Sequence, residues 1–140
     1  MTPVVDASLA LGWYFDDERT AATEAALTET TETGAFVPSL WRLEVANGLQ
    51  AAIRRGCIDA AFRDRAIAAL TLLPIVIDAE TDVHAWTTTL GMSDHFGLSA
   101  YDAAYLELSL RRDIPLATLD VRLTSAARTQ NAALIGEDAR

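Results

Sequence analysis

Short apolar runs alternate along this sequence with longer segments in which apolar residues recur at helical spacing. The runs predict strands at residues 3–6, 35–38, 74–77, 115–119 and 133–135. The longer segments predict helices at residues 8–14, 20–33, 39–55, 59–70, 78–91, 99–112 and 121–130, with a polar loop at 92–97. Strands that alternate with helices predict an α/β domain with a mainly parallel sheet of about five strands.

Residues that begin or end helices mark these boundaries. Capping side chains are expected at Ser8, Ser39, Asp59 and Ser99, and glycines that stop a helix at Gly34, Gly56 and Gly91. The tryptophans Trp13, Trp41 and Trp86 lie among apolar helix positions and are predicted core residues. No repeat or linker divides the chain, so residues 1–140 are predicted to form a single domain.

The composition is that of a folded, soluble chain. Hydrophobic residues make up 51% of the sequence, which is enough to bury a core. Cys57 is the only cysteine, so no internal disulfide is expected and a reducing compartment is favoured. Neither a secretory leader nor an apolar run long enough to span a bilayer is visible. We therefore expect a cytoplasmic protein without membrane association.

The charge balance excludes several kinds of site. The net charge is −9, and the eleven basic residues are all arginine. Without lysine the chain has neither a P-loop nor an amine for Schiff-base chemistry. Its acidity also argues against a surface that coats nucleic acid, since such surfaces are basic. A polynucleotide substrate would require bound cations or a local arginine patch.

Four acidic residues stand at similar places in the predicted fold. Asp6 and Asp120 each follow a strand, at the carboxyl edge where parallel sheets bind ligands. Asp102 lies in the first turn of a helix, and Glu44 lies in the second turn of the helix after the second strand. Converging carboxylates repel one another, and no lysine is available to pair with them. The expected partner is therefore a hard divalent cation, Mg²⁺ or Mn²⁺.

Each acid also has a purely structural interpretation. The local roles are a helix cap for Asp6 or Asp120, a capping box for Ser99 and Asp102, and a solvated face for Glu44. Ser8 is available to cap the first helix in place of Asp6. Thr118 and Ser8 are candidate supporting hydroxyls, and Asn47 is a candidate to orient Glu44. Their shared placement favours a site more than any single residue does.

Residues 4–8, 38–47, 98–106 and 116–120 carry a family likeness, most specifically in Ser99-Ala100-Tyr101-Asp102-Ala103. In order and spacing they resemble PIN-domain ribonucleases, and more narrowly the VapC toxins of VapBC toxin–antitoxin pairs. The resemblance implies a three-layer domain with a five-stranded parallel sheet, and Mg²⁺- or Mn²⁺-dependent endonuclease cleavage of RNA. It maps the family's catalytic, metal-binding acids onto Asp6, Glu44, Asp102 and Asp120, with Thr118 in support.

The resemblance also implies partners. It implies a homodimer and a cognate VapB-like antitoxin whose arm covers the site, often with an arginine among the carboxylates. Some family members carry a further acid shortly after the fourth, whereas Val121 and Arg122 follow Asp120 here. A second metal is therefore expected to bind weakly or only with RNA. The candidate contacts for the RNA backbone are Arg54, Arg55, Arg111, Arg112 and Arg122.

Other functions stay open beside a toxin nuclease. A PIN nuclease of general RNA processing has the same acids, and an inactive PIN-like module would only hold a partner. A phosphatase of the haloacid-dehalogenase kind is disfavoured because Ser8 stands where its second aspartate is required and lysine is absent.

Overall fold

The computed structural model describes residues 1–135 as an α/β fold. The strands are β1 (Val4–Val5), β2 (Ala35–Val37), β3 (Ile75–Ile77) and β4 (Leu116–Ala117). The helices are α1 (Ala7–Gly12), α2 (Ala21–Thr33), α3 (Trp41–Arg54), α4 (Ala60–Thr71), α5 (Thr81–His84), α6 (Leu90–Phe96), α7 (Ala100–Arg112) and α8 (Val121–Thr129). A 3₁₀ turn covers Asp16–Glu18, and a π-helical segment, Ala85–Thr89, joins α5 to α6.

The sheet is parallel, in the order β3-β2-β1-β4, which confirms the predicted fold class. The segment at 133–135 forms one isolated bridge, Leu134 to Leu116, so the described sheet has four strands where five were predicted. Pro115 and Ala117 turn their carbonyls toward β1. Only Leu116 is left to bond on the outer side of β4, and a single residue cannot extend a ladder.

The core lies on both faces of this sheet, with α7 at its centre. Residues 103–109 of α7 are all buried, and the helix packs on β1 and β4. Trp13 and Trp41 are core residues as predicted, and the Trp13 indole donates to the Thr23 carbonyl at 2.9 Å. The same prediction was wrong for Trp86, whose surface is 88% exposed. Among residues 1–135 no helix combines the length and apolarity that a membrane crossing requires.

Two predicted helix starts were wrong. Asp6 caps α1, because its side chain accepts from the Leu9 amide, and Ser8 lies inside the helix. Ser39 does not cap α3, which begins at Trp41, and the Ser39 amide instead donates to Thr81. The caps predicted at Asp59 and Ser99 are confirmed.

The helix predicted to stop at Gly91 continues to Phe96, so the loop predicted at 92–97 was also wrong. Gly91 is exposed and has no neighbour within 4 Å of an added Cβ, so the helix passes through it without a packing constraint. The chain turns instead at Gly97, which adopts the left-handed conformation at φ 66°.

A buried ionic cluster ties β3 to α7. Asp78 follows β3 with its carboxylate fully buried, and it bonds Arg111 at 2.6 Å and Arg112 at 3.2 Å. Arg111 also binds the buried Glu107 at 2.7 Å. Burial alone would raise the pKa of Asp78, but the hydrogen bonds from Arg111 and Arg112 outweigh it and hold the pKa below its usual value.

Gly34 ends α2 in a conformation that only glycine adopts readily, at φ 83° and ψ −174°. An added Cβ would also lie 2.7 Å from the backbone oxygen of Pro74. We expect Gly34→Ala to lower the free energy of unfolding by roughly 3 kcal/mol or more, measured by urea denaturation.

Gly56→Ala is the matched control, since Gly56 also has positive φ (75°) but open space around an added Cβ. It should cost only about 1–2 kcal/mol. Equal losses at the two positions would show that the contact with Pro74 is unimportant.

Candidate acidic active site

Asp6 is the buried centre of the candidate site. It follows β1, an inner strand of the sheet, and only 3% of its surface is exposed. One carboxylate oxygen accepts from the Ser8 hydroxyl at 2.8 Å and the Leu9 amide at 2.9 Å. The other oxygen accepts a hydrogen bond from the Thr118 hydroxyl, which lies just beyond β4. The carboxylate is therefore held by donors from two adjacent strand ends.

Burial raises the pKa of Asp6 from its usual 3.8 to about 6. The hydrogen bonds from Thr118, Leu9 and Ser8 lower it, but they do not cancel the loss of hydration, and the charge of Asp102 raises it further. The Asp6 carboxyl therefore keeps its proton to a higher pH than an ordinary aspartate does.

Glu44 is positioned by α7 rather than by its own helix. The Tyr105 hydroxyl donates to Glu44 Oε1 at 2.5 Å, across 61 residues of sequence. Partial burial raises the pKa of Glu44, the bond from Tyr105 lowers it, and the charge of Asp102 raises it again. Burial and the acids Glu44 and Asp6 raise the pKa of Tyr105, so its hydroxyl stays a neutral donor.

Tyr105 is the site residue that sequence reasoning missed. It belongs to the quoted family segment and lies three residues after Asp102, on the same side of α7. The three-residue spacing from Asp102 is the sequence feature that could have indicated a role for Tyr105 in the site. Nothing local indicates that its hydroxyl reaches a residue of α3.

Asp102 and Asp120 complete the acidic group. Ser99 caps α7 by accepting from the Asp102 amide at 3.0 Å. Partial burial raises the pKa of Asp102, and so does the charge of Asp120. Asp120 caps α8 by accepting from the Leu123 amide at 2.8 Å, and its own amide donates to Thr118 Oγ1 at 3.0 Å.

Capping a helix and belonging to a common acidic site are therefore compatible roles for these residues. Asp6 and Asp120 do cap helices, yet Asp102 lies close enough to affect Asp6 and Glu44, and Asp120 affects Asp102. The ion pairs formed among residues 1–135 involve none of these four carboxylates. Their negative charges are thus left for another cation to neutralise.

The donor chemistry fits a hard divalent cation, since Mg²⁺ and Mn²⁺ prefer carboxylate oxygens and water. Within residues 1–135, however, no three His, Cys, Asp or Glu side chains are placed to coordinate one metal ion. Like charges repel one another, so carboxylates approach closely only when a cation lies between them. The side chains would have to draw together around an ion.

The supporting residues divide into two sets. Thr118 and Ser8 both donate to Asp6, and the Ser8 hydroxyl also accepts from the Leu119 amide at 3.3 Å. Asn47 is exposed, and among the described residues its side chain forms no hydrogen bond with Glu44. The structure therefore joins Ser8 and Thr118 to the acids and leaves Asn47 outside.

Comparison with known proteins identifies the fold. The chain belongs to the PIN-domain family, whose model matches residues 4–129 and so includes all four acids. PIN domains are generally nucleases, a class of hydrolase, and generally use divalent metal ions. The chain is also similar to the crystal structure of PAE2754 from Pyrobaculum aerophilum, with a TM-score of 0.68 and 22% identity over 96% of this chain and 90% of that chain. At that identity the likeness concerns the fold alone. A comparison with curated proteins found no match.

Removing the Tyr105 hydroxyl should weaken the site and the fold together. We expect Tyr105→Phe to lower the free energy of unfolding by about 1–2 kcal/mol, because Glu44 loses a short hydrogen bond. The pKa of Glu44, followed by NMR titration, should rise further. Tyr101→Phe is the control, since Tyr101 is 63% exposed. A Glu44 titration that Tyr105→Phe leaves unchanged would contradict the contact.

The buried charge of Asp6 should be visible in the pH dependence of stability. The folded state binds its proton more tightly than the unfolded chain does, so its contribution to stability falls as the pH rises from 3.8 through about 6. A shift of this size corresponds to about 3 kcal/mol. Relative to the unaltered chain, Asp6→Asn should gain roughly 2–3 kcal/mol between about pH 4 and pH 8.

Urea unfolding in EDTA at several pH values measures this gain, with the exposed Asp94→Asn as control. A constant difference between Asp6→Asn and the unaltered chain would mean that the pKa of Asp6 is not raised.

Proposed function

We propose that this chain is a metal-dependent endoribonuclease in which Asp6, Glu44, Asp102 and Asp120 hold a divalent cation, Mg²⁺ or Mn²⁺. The observation that carries the proposal is the electrostatic one. Four carboxylates from four different segments lie at one end of the sheet, and three of them have raised pKa values. None of the four takes part in the ion pairs formed among residues 1–135.

The chain's own residues would hold and orient the reacting groups. Ser8, Leu9 and Thr118 fix the Asp6 carboxylate, and Tyr105 fixes Glu44, so neither acid has to be ordered when substrate arrives. The charge of Asp102 acts on both Asp6 and Glu44 and makes a bound cation favourable. A bound divalent ion supplies Lewis-acid activation of water and neutralises charge on the phosphodiester.

The biological role that we propose is the toxin of a type II toxin–antitoxin pair, held inactive by a VapB-like antitoxin and assembled as a homodimer. The support is the sequence resemblance together with the charge of the site. An unpaired carboxylate cluster would accept an arginine from a partner's arm, since a guanidinium binds carboxylates in bidentate fashion. The same nuclease could serve general RNA processing, and growth arrest on expression in a bacterial host distinguishes the two roles.

Asp102→Asn should remove cleavage while the fold is retained. Asparagine keeps the size of Asp102 but removes a charge that acts on Asp6 and Glu44. Since loss of an outer partner of a metal site already costs about 10–100-fold, we expect a loss of about 100-fold or more. The measurement is cleavage of a labelled single-stranded RNA in Mg²⁺ or Mn²⁺, with circular dichroism as the test of folding.

Asp94→Asn is the matched control, because Asp94 is exposed on α6 and lies outside the acidic group. Excess EDTA should stop the unaltered enzyme, and added Mg²⁺ should restore it. Cleavage that persists in EDTA, or in Asp102→Asn, would rule out the proposed mechanism. A folded chain that neither cleaves RNA nor binds either metal would be the inactive binding module.

A further inference from the structure

A groove opens directly beside the acidic group. It has a volume of about 370 Å³, which is in the range of sites that hold small ligands, roughly 300–1,000 Å³. Ser8, Leu119 and Asp120 form its wall on the side of the site. Asp120 carries one of the four carboxylates and Ser8 bonds another, so the groove is continuous with the candidate active site.

The lining of the groove also includes an aromatic ring and a cation. Phe15 follows α1, and its ring stacks on Phe62 with the ring centroids 6.2 Å apart. Arg55 follows the last turn of α3. On α3 the lining residues are Gly48 and Ala51, and Leu11 of α1 fills the space beside Gly48, where its side chain would clash with an added Cβ. Glu18 also lines it, with its carboxylate near Gly12 of α1 rather than on α3.

The Arg55 side chain differs from those of most other arginines, because it forms no ion pair or hydrogen bond among residues 1–135. Arg111 and Arg112 are held by Asp78, so these two candidates for the RNA path serve the fold instead. Arg19 and Arg63 bind neighbouring acids, and Arg65 lies over the Phe62 ring. Arg42, Arg54, Arg55 and Arg122 form no ion pair or side-chain hydrogen bond among residues 1–135, and of these four Arg55 alone lines the groove that reaches Asp120.

We propose that this groove is a nucleotide subsite for single-stranded RNA, adjoining the bond that is cut. Arg55 binds the phosphate that flanks the scissile one, and Phe15 provides an apolar aromatic wall for the base. The Glu18 carboxylate repels phosphate but accepts hydrogen bonds from a ribose hydroxyl or a base N–H, which orients the strand. The inference rests on the proposed nuclease function and names the residues that place its substrate.

Physical considerations favour a flexible single strand over a duplex as the occupant. The chain has a net charge of −9, which disfavours a broad basic surface of the kind that binds the phosphates of a duplex. A single strand needs only a local cation and a stacking surface, and its bases are free to enter a groove. One unpaired arginine beside an aromatic wall meets that requirement.

The test is the kinetics of RNA cleavage by Arg55→Ala, with Arg54→Ala as the matched control. Both residues were predicted as RNA contacts, both are exposed at the same end of α3, and each change removes one positive charge. Arg54 does not line the groove, so the proposed subsite excludes it from the RNA path. We expect Arg55→Ala to raise KM about tenfold with little change in kcat, because a hydrogen-bonded charge contact is lost. Arg54→Ala should leave both constants near those of the unaltered enzyme, and Arg55→Lys should recover part of the loss.

Salt dependence provides a second readout that a merely structural effect would not move. Binding of a labelled single-stranded RNA to the Asp102→Asn variant, followed by fluorescence anisotropy, gives the slope of log affinity against log salt. Adding Arg55→Ala should reduce that slope by about 0.7, the value for one phosphate contact on a single strand. Adding Arg54→Ala should leave it unchanged.

The possible outcomes distinguish failure of the proposed subsite from failure of the proposed nuclease function. If the unaltered enzyme cleaves RNA but Arg55→Ala behaves like Arg54→Ala in KM and in salt slope, the subsite is wrong and the nuclease stands. If the unaltered chain does not cleave RNA, the proposed function fails and the subsite fails with it. A loss confined to kcat would also overturn the subsite, since it would place Arg55 in the chemical step rather than in substrate binding.

Discussion

The structure depends on one costly arrangement, a carboxylate buried at the end of an inner strand. Asp6 loses almost all its contact with water, and three donors from α1 and the end of β4 replace that hydration. Those donors fix the relative positions of two strand ends. The raised pKa of Asp6 indicates that the compensation is incomplete, and a bound cation would supply the remainder.

The other three acids add repulsion between like charges at the same edge of the sheet. The charge of Asp102 raises the pKa of Asp6 and of Glu44, and the charge of Asp120 raises the pKa of Asp102. Tyr105, one turn further along α7, holds Glu44 in place. Repulsion between like charges destabilises the folded state. Proteins retain such repulsion at sites that bind a charged ligand or ion.

Elsewhere in the fold, arginines neutralise a second buried acid, Asp78. Asp78 also follows a strand and is also buried, but Arg111 and Arg112 neutralise it and its pKa is lowered rather than raised. Two buried strand-end acids, Asp6 and Asp78, thus have opposite electrostatic environments. The difference separates an acid that two arginines of α7 neutralise from one that takes part in no ion pair among residues 1–135.

The sequence by itself determined the parallel α/β fold class and the order of the first four strands, and it predicted the four acids as a site, because apolar spacing and strand ends are local properties. It could not show that Asp6 rather than Ser8 caps α1, that Trp86 is exposed, or that Tyr105 reaches Glu44. Local sequence allows either cap, and an apolar helix position says nothing about which neighbour covers it. Only the tertiary structure decided which distant side chains meet, because a hydrogen bond across 61 residues depends on how helices cross the sheet.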